Sequence, residues 1–238
     1  MRQVPLKNKK YLIVGNGNMA RHISSYFDLL DIPYHSWWRS SGENINNKLL
    51  SSEKVLVAIS DDAIIKFTSS LLKKFPRKIF IHFSGLLSVP GVVSAHPLMT
   101  FSDKPYDLNT YLQIPFVTEK NQKPFREVFP ELKNHSIDIE SDFKPIYHTW
   151  CSIAGNFTTA LWTVFFKRMQ KLGINKDLCF PYMMGTINNL LNQQNPLTGP
   201  LVRRDLKTVN AQKKCLKNDS YYAVYEAMEK AMKAEGQI

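Results

Sequence analysis

Cysteine is scarce in this chain of 238 residues: Cys151, Cys179 and Cys215 stand far apart, and no Cys-x-x-Cys pair exists. An odd, widely spaced set builds neither a disulfide framework nor a zinc knuckle. The six histidines form no His-Glu-x-x-His or His-x-His pattern, so no metal is expected. Long apolar runs are missing too. The best candidate, around Ala160–Phe166, falls far short of the ~20 residues that a membrane span needs. Lys7, Lys9 and Lys10 make a basic start, but Tyr11–Val14 is cut by Gly15, too soon for the roughly 7–15 apolar residues of an export signal. These absences point to a cytoplasmic protein without a membrane partner.

Acidic residues are outnumbered, 20 against 31 basic, for a formal charge of +11. Such a balance suits anionic partners. The excess is spread out: residues 1–144 carry 19 basic and 14 acidic groups, and 145–238 carry 12 and 6. No dense Arg/Lys block with interleaved aromatics appears, so a nucleic-acid groove is not expected. A solvated basic surface, or a site for a phosphate-bearing cofactor or an acidic substrate, accounts for the charge.

What is present in the first half is alternation. Short β-rich runs fall at Tyr11–Gly15, Pro33–Trp38, Lys54–Ile59, Lys78–Phe83, Val92–Ala95, Leu112–Val117 and Ser136–Ile139. Segments of helical length separate the first four. Continuous apolar strands alternating with helices read as βαβ units in a parallel sheet covered on both faces. After residue 142 the pattern changes. From Pro145 to Leu172 apolar residues recur at helical spacing, which predicts one long helix ending at Gly173. Further helices are expected at Asp177–Asn192, Asp205–Leu216 and Ser220–Ala234. The expected fold class is therefore α/β, a doubly wound Rossmann-like sheet over residues 1–142, followed by an all-α domain over 143–238.

Gly15-Asn16-Gly17-Asn18-Met19-Ala20 fits G-x-G-x-x-G/A, and it lies where a strand ends and a helix opens. In that setting Gly15 makes the tight turn, Gly17 lets a pyrophosphate approach the backbone, and Ala20 lets helix and strand pack closely. The helix N-terminus then offers N–H groups to the phosphates. The end of the second strand carries Arg39-Ser40-Ser41, where NAD binders place an acid for the ribose 2′-OH. A guanidinium pairs with a 2′-phosphate, so NADP(H) is expected over NAD(H).

Ligands in open α/β sheets sit beyond the carboxyl ends of the strands. The polar residues expected there are Ser60, with Asp62 read as a helix cap, then His82 and Ser84, then Ser94 and His96. On the long helix Lys144, His148, Ser152 and Asn156 are spaced by four and share one face. Thr198 and Arg203 lie in a turn-rich connection, where Arg203 could bind a carboxylate or pair with Asp205.

Together these residues resemble a family of provisionally assigned NADP oxidoreductases, which join an N-terminal Rossmann-like domain to a C-terminal helical domain of unknown function. The family is distantly similar to pyrroline-5-carboxylate reductase and ketopantoate reductase. The resemblance rests on the glycine turn, on HFSG at 82–85, SAHPLMTF at 94–101, YHTWCSIAGNF at 147–157 and LTGPLVRRDLKTV at 197–209. The chain departs from the family pattern at Arg203-Arg204-Asp205, where Arg-Gly-Asp is usual, and at Gln212, where a histidine is common nearby. The resemblance implies a homodimer made largely by the helical domain, and it implies no substrate.

The expected activity is hydride transfer between NADP(H) and a small keto or imino acid. His148 is the first candidate for the proton donor, because histidine titrates near neutrality. Asn156 would orient the substrate, and His96 and Ser84 would line the nicotinamide side. His82, Ser94, Thr198 and Arg203 are the substrate-binding candidates. Lys144 is the second donor candidate, since the related β-hydroxyacid and ketopantoate dehydrogenases use a helix-borne Lys. The rival expectation is a non-catalytic NADP(H)-binding sensor or regulator.

Overall fold

The computed structural model describes residues 10–238. A seven-stranded sheet is its frame, with strand order β2-β1-β3-β4-β5-β6-β7. The strands are β1 (Tyr11–Val14), β2 (Tyr34–Trp37), β3 (Lys54–Val57), β4 (Ile79–His82), β5 (Val92–Pro97), β6 (Phe116–Glu119) and β7 (Ser136–Ile139). Helices α1 (Asn18–Leu29), α2 (Ile45–Leu50) and α3 (Asp61–Lys74) connect the first four strands. The period of two along each strand divides the core between the two faces. Tyr11 and Ile13 of β1 join Phe27, Leu56 and Ile81 on one face. Leu12 and Val14 join Val55, Val57 and Phe80 on the other. The first strands are buried on both sides, which is why they read as unbroken apolar runs.

The sheet is parallel from β2 to β5, but β6 runs antiparallel to β5 and parallel to β7. The run Leu112–Val117, expected as a strand, is divided. Residues Leu108–Gln113 form helix α4, capped by Asp107, whose Oδ1 accepts from the Thr110 amide at 2.7 Å. The helix stops where Asn134 donates to the Tyr111 and Ile114 carbonyls at 2.7 and 2.9 Å. The strand proper starts only at Phe116, beyond Pro115. A further short helix, α5 (Phe125–Val128), packs Phe125 and Val128 into the core.

The long helix is interrupted. Helix α6 (Lys144–Ser152) runs into a π-helical turn, Ile153–Phe157, before α7 (Thr158–Lys171) resumes. The turn contains Gly155, a weak helix former, whose carbonyl accepts from Thr159 Oγ1 at 2.8 Å. Gly173 ends the helical stretch with φ +78°, as expected of a C-terminal glycine.

The chain forms two compact units, one running to Leu161 and one comprising Trp162–Ile238. The sheet, α6 and the π-turn belong to the first. The second contains most of α7, then α8 (Lys176–Asn192), α9 (Leu206–Leu216) and α10 (Tyr222–Ala234). Inside it, Trp162, Phe165 and Phe166 meet Phe180 and Tyr182. Arg168 holds Asp219 through two hydrogen bonds, at 2.5 and 2.7 Å. Among the described residues no helix is long and apolar enough to cross a membrane.

Candidate functional site

The glycine turn is built as its pattern requires. Gly15 takes φ +130°, and its amide donates to the Trp37 carbonyl at 2.8 Å. A Cβ on it would stand 2.0 Å from the Ala58 carbonyl oxygen, inside backbone that cannot move aside. Gly17 differs: a Cβ there meets nothing within 4 Å, so the space above this residue is open. Ala20 is buried in the core between helix and strand. Asn16, Gly17 and Asn18 are exposed. Asn18 is anchored by its side chain, which donates to the Phe101 carbonyl at 3.1 Å and accepts from Arg21. Arg39 and Ser40 are exposed just past β2, beside the strand residue that receives the Gly15 amide.

Ser60 occupies the N-cap position of α3, so Asp62 is not the cap; Asp61 and Asp62 stand in the first turn. Acidic residues there complement the helix dipole. Ser84 is buried, and its hydroxyl is fully engaged. It donates to Asp61 Oδ2 at 2.6 Å and accepts from the Leu86 and Leu87 amides at 3.2 and 3.0 Å. Ser84 thus shapes the loop after β4 and ties it to α3.

Two clefts open along the carboxyl edge of the sheet. One, about 530 Å³, runs from Met19 over Ala58 and Ile59 to Ser84, His96 and Met99. The other, about 980 Å³ and open to solvent, is lined by His96, Met99, His148, Cys151, Ser152 and Asn156, among others. His96 and Met99 belong to both. The structure therefore brings His148, Ser152 and Asn156 together with His96 across one cleft.

His96 is tightly placed. Its Nδ1 lies 2.7 Å from the Tyr147 hydroxyl. Its ring packs edge-on against Tyr147 and His148, each at 5.6 Å between centroids. Gly85 forms the floor: a Cβ there would come within 2.4 Å of His148 Cδ2 and 3.0 Å of His96 Nε2. Burial, then the neighbouring His148 and Lys144, push the His96 imidazole down to about 4, so it is neutral at neutral pH. Burial, with a hydrogen bond to Cys151, raises the Tyr147 phenol, which keeps its proton. Sequence reasoning had not singled out Tyr147, Gly85 or Cys151 as site residues, although HFSG and YHTWC contain all three.

Three expected site residues take other roles. Lys144 is not available as a proton donor. Its ammonium is buried and has three acceptors: Glu119 Oε1 at 2.8 Å, Ser94 Oγ at 2.5 Å and the Leu87 carbonyl. Those three bonds use every N–H of an ammonium. Burial raises the Glu119 carboxyl, but hydrogen bonds from Lys144, Ser88 and Ser141 outweigh it and hold the group below the usual range. Ser94 is fully buried in the same network, and its amide donates to Gln122 Oε1 at 2.8 Å. His82 is fully buried as well, and neither ring nitrogen has a hydrogen-bond partner among the described residues. Ser94 and His82 therefore do not face a substrate.

Thr198 and Arg203 are exposed in the second unit. Asp205 caps α9, with its carboxylate accepting from the Thr208 amide at 3.1 Å and hydroxyl at 2.7 Å. Among the described residues no group of three or more His, Cys, Asp or Glu side chains is placed to hold a metal ion.

Comparison with known proteins adds three findings. The sequence profile of a family described as a domain of unknown function, DUF2520, matches residues 114–232. No curated protein matches the chain in sequence. The fold is shared with solved structures at low identity. A Bacteroides fragilis protein provisionally designated an NADP oxidoreductase aligns with TM-score 0.75 at 16% identity, over 95% of this chain and 98% of its own. A Thermotoga maritima protein named without an activity aligns with TM-score 0.70 at 24% identity, over 94% and 97%. Pyrroline carboxylate reductase from Plasmodium falciparum, solved with NADP bound, aligns with TM-score 0.61 at 12% identity, over 94% and 99%.

Proposed function

The chain belongs to the DUF2520 family, and from that premise we propose that it is an NADP(H)-dependent oxidoreductase acting on a small keto or imino acid. One observation carries the reading: the groove that starts at Met19, beside the glycine turn, and the polar cleft share His96 and Met99. A hydride donor in the first and an acceptor in the second would meet at one imidazole. The open space at Gly17 suits a pyrophosphate against the backbone. Arg39, with Ser40, is the group for a 2′-phosphate.

The nicotinamide, when bound, supplies or takes the hydride. The chain's own residues do the rest. Met19, Ala58 and the Ser84 turn wall the first groove. His148 gives a proton to the substrate oxygen or nitrogen as charge develops there, and Asn156 orients the substrate by hydrogen bonding. Arg203, supplied by the neighbouring subunit, is the cation proposed for the substrate carboxylate. The protein is read as a cytoplasmic homodimer. Phe180, Met184, Ile187 and Leu191 of α8 recur at helical spacing and are exposed, a stripe that a second copy would cover.

Titration calorimetry of NADPH and NADH on the wild type and Arg39→Ala tests the cofactor. A charge-assisted contact to a 2′-phosphate contributes about 1.5–3 kcal/mol, so NADPH is expected to bind roughly 10–100-fold tighter, and the variant to lose that margin. If neither nucleotide binds, the reading falls and the glycine turn is structural. With a panel of keto and imino acids, His148→Ala is expected to lower turnover about 10²–10⁴-fold. Full turnover by that variant would remove His148 from the donor role.

A further inference from the structure

His96 stands where the two clefts meet, and its two ring nitrogens have different surroundings. Nδ1 faces the Tyr147 hydroxyl at 2.7 Å. Nε2 lies over Gly85, where a single added carbon would come within 3.0 Å of it. Among the described residues Nε2 has no hydrogen-bond partner, and it is not one of the unpartnered ring nitrogens sealed from solvent, which are both on His82. A neutral imidazole carries one proton, and whichever nitrogen holds it decides whether the free edge donates or accepts.

We propose that Tyr147 is a positioning residue that fixes His96 in the Nε2–H tautomer, so that the ring offers a neutral N–H to a lone-pair-bearing substrate atom. Such an atom is a carbonyl oxygen or an unprotonated imine nitrogen. The proposal rests on the oxidoreductase reading for its substrate and on this geometry for its tautomer.

The separation of 2.7 Å is short for an N–H···O bond, whose usual length is about 2.9–3.0 Å, and suits a hydroxyl donor. Tyr147 then donates and Nδ1 accepts, which leaves the ring proton on Nε2. The opposite arrangement has Nδ1–H donating to the phenol oxygen while the phenol donates to the Cys151 sulfur. It gives up a good nitrogen acceptor for a sulfur, which accepts weakly. Both groups hold the protonation states this needs. The phenol is raised by burial. The imidazole is lowered by burial, His148 and Lys144. The ring cannot turn freely to exchange its edges, because Tyr147 and His148 both pack edge-on against it.

Nitrogen-15 NMR of the histidine side chains in the full chain tests this without cofactor or turnover, with His96→Gln supplying the assignment. At neutral pH the wild type is expected to show His96 in a single Nε2–H form. Cys151→Ala should leave that form in place. Tyr147→Phe should convert it to a mixture of tautomers. An Nδ1–H form in the wild type, or an unchanged single form in Tyr147→Phe, overturns the proposal. If Tyr147→Phe does not fold, the wild type and Cys151→Ala decide the matter alone. Because nucleotide binding plays no part, a failure here and a failure of the oxidoreductase reading are told apart.

Discussion

The Lys144 ammonium and the Glu119 carboxylate lie 2.8 Å apart with side chains only 2% and 1% exposed, and this pair pins the start of α6 to the sheet. Tyr147 and His148 follow Lys144 by three and four residues, so they stand on the same helix face as the pinned side chain. Removing one member of such a pair strands the other charge. Lys144→Met is expected to cost about 3–5 kcal/mol in urea unfolding, because Glu119 would keep only its two serine donors. Lys144→Met with Glu119→Leu should recover most of that loss. A double variant as unstable as the two singles added together would show that the residues are not coupled.

The two glycines of the turn separate folding from binding. Gly15→Ala places a carbon 2.0 Å from the Ala58 oxygen at a backbone angle that disfavours any side chain, and it should lower stability by at least ~2 kcal/mol. Gly17→Ala meets no atom within 4 Å. It should melt close to the wild-type temperature and yet weaken NADPH binding at least ~10-fold, by filling the space a pyrophosphate needs. Differential scanning fluorimetry with and without NADPH reads both. Equal melting of the two variants would contradict the distinction.

His82 makes stability depend on acid. Burial, then the nearby Lys144, push its imidazole down to about 4, with a smaller opposing pull from Glu119 and a further push from His96. The unfolded chain therefore takes up a proton below about pH 6.5 that the folded protein refuses until about pH 4. Stability contributed by the neutral ring is complete above pH 6.5. It is lost as the pH falls toward 4, by up to about 3 kcal/mol. His82→Leu should make that slope shallower, leaving the share that His96 contributes over the same pH range, and change stability at pH 7.5 by no more than about 1 kcal/mol, since no hydrogen bond is removed. Chemical unfolding at a series of pH values measures it, and an unchanged slope would count against the assignment.

Much of the fold was legible in the sequence, and the reasons are local. The Gly15–Ala20 turn, the apolar strands and the Gly173 stop each carry their signal within a few residues. Where the decision is made over a distance, sequence reasoning went astray. Lys144 has the spacing of a cleft residue, but its partner Glu119 is 25 residues earlier and across the sheet edge. His82 and Ser94 occupy strand ends as expected, yet both are fully buried, Ser94 under the Lys144 ammonium at the start of α6. The Asp107–Thr110 cap that opens α4 was a readable signal, overshadowed by the β-like run that follows it. Of the candidate site itself, His96, His148 and Asn156 line one cleft. Tyr147 could not be separated by pattern from any other helix-borne tyrosine.

Arg204 adopts φ +56°, a left-handed conformation at a non-glycine residue, in the turn that leads into the Asp205 cap. Such a residue costs roughly 1–2 kcal/mol, of which glycine returns part as unfolded-state entropy. Arg204→Gly is therefore expected to raise stability by up to about 1 kcal/mol, seen as a higher thermal midpoint. A lower midpoint would indicate that the guanidinium makes contacts worth more than the relief of strain.

The π-helical turn at Ile153–Phe157 bears on a different quantity, length. In a continuous α-helix the eight steps from His148 to Asn156 overshoot two turns by about 80°. A π-turn accommodates one extra residue and takes up that overshoot, and both side chains line the same cleft. A chain shortened by one residue in this stretch would need no π-turn, because seven steps of regular α-helix fall only about 20° short of two turns and keep the same alignment. The phase of the helix is thus as much a part of the cleft as the imidazole and the amide that it brings into line.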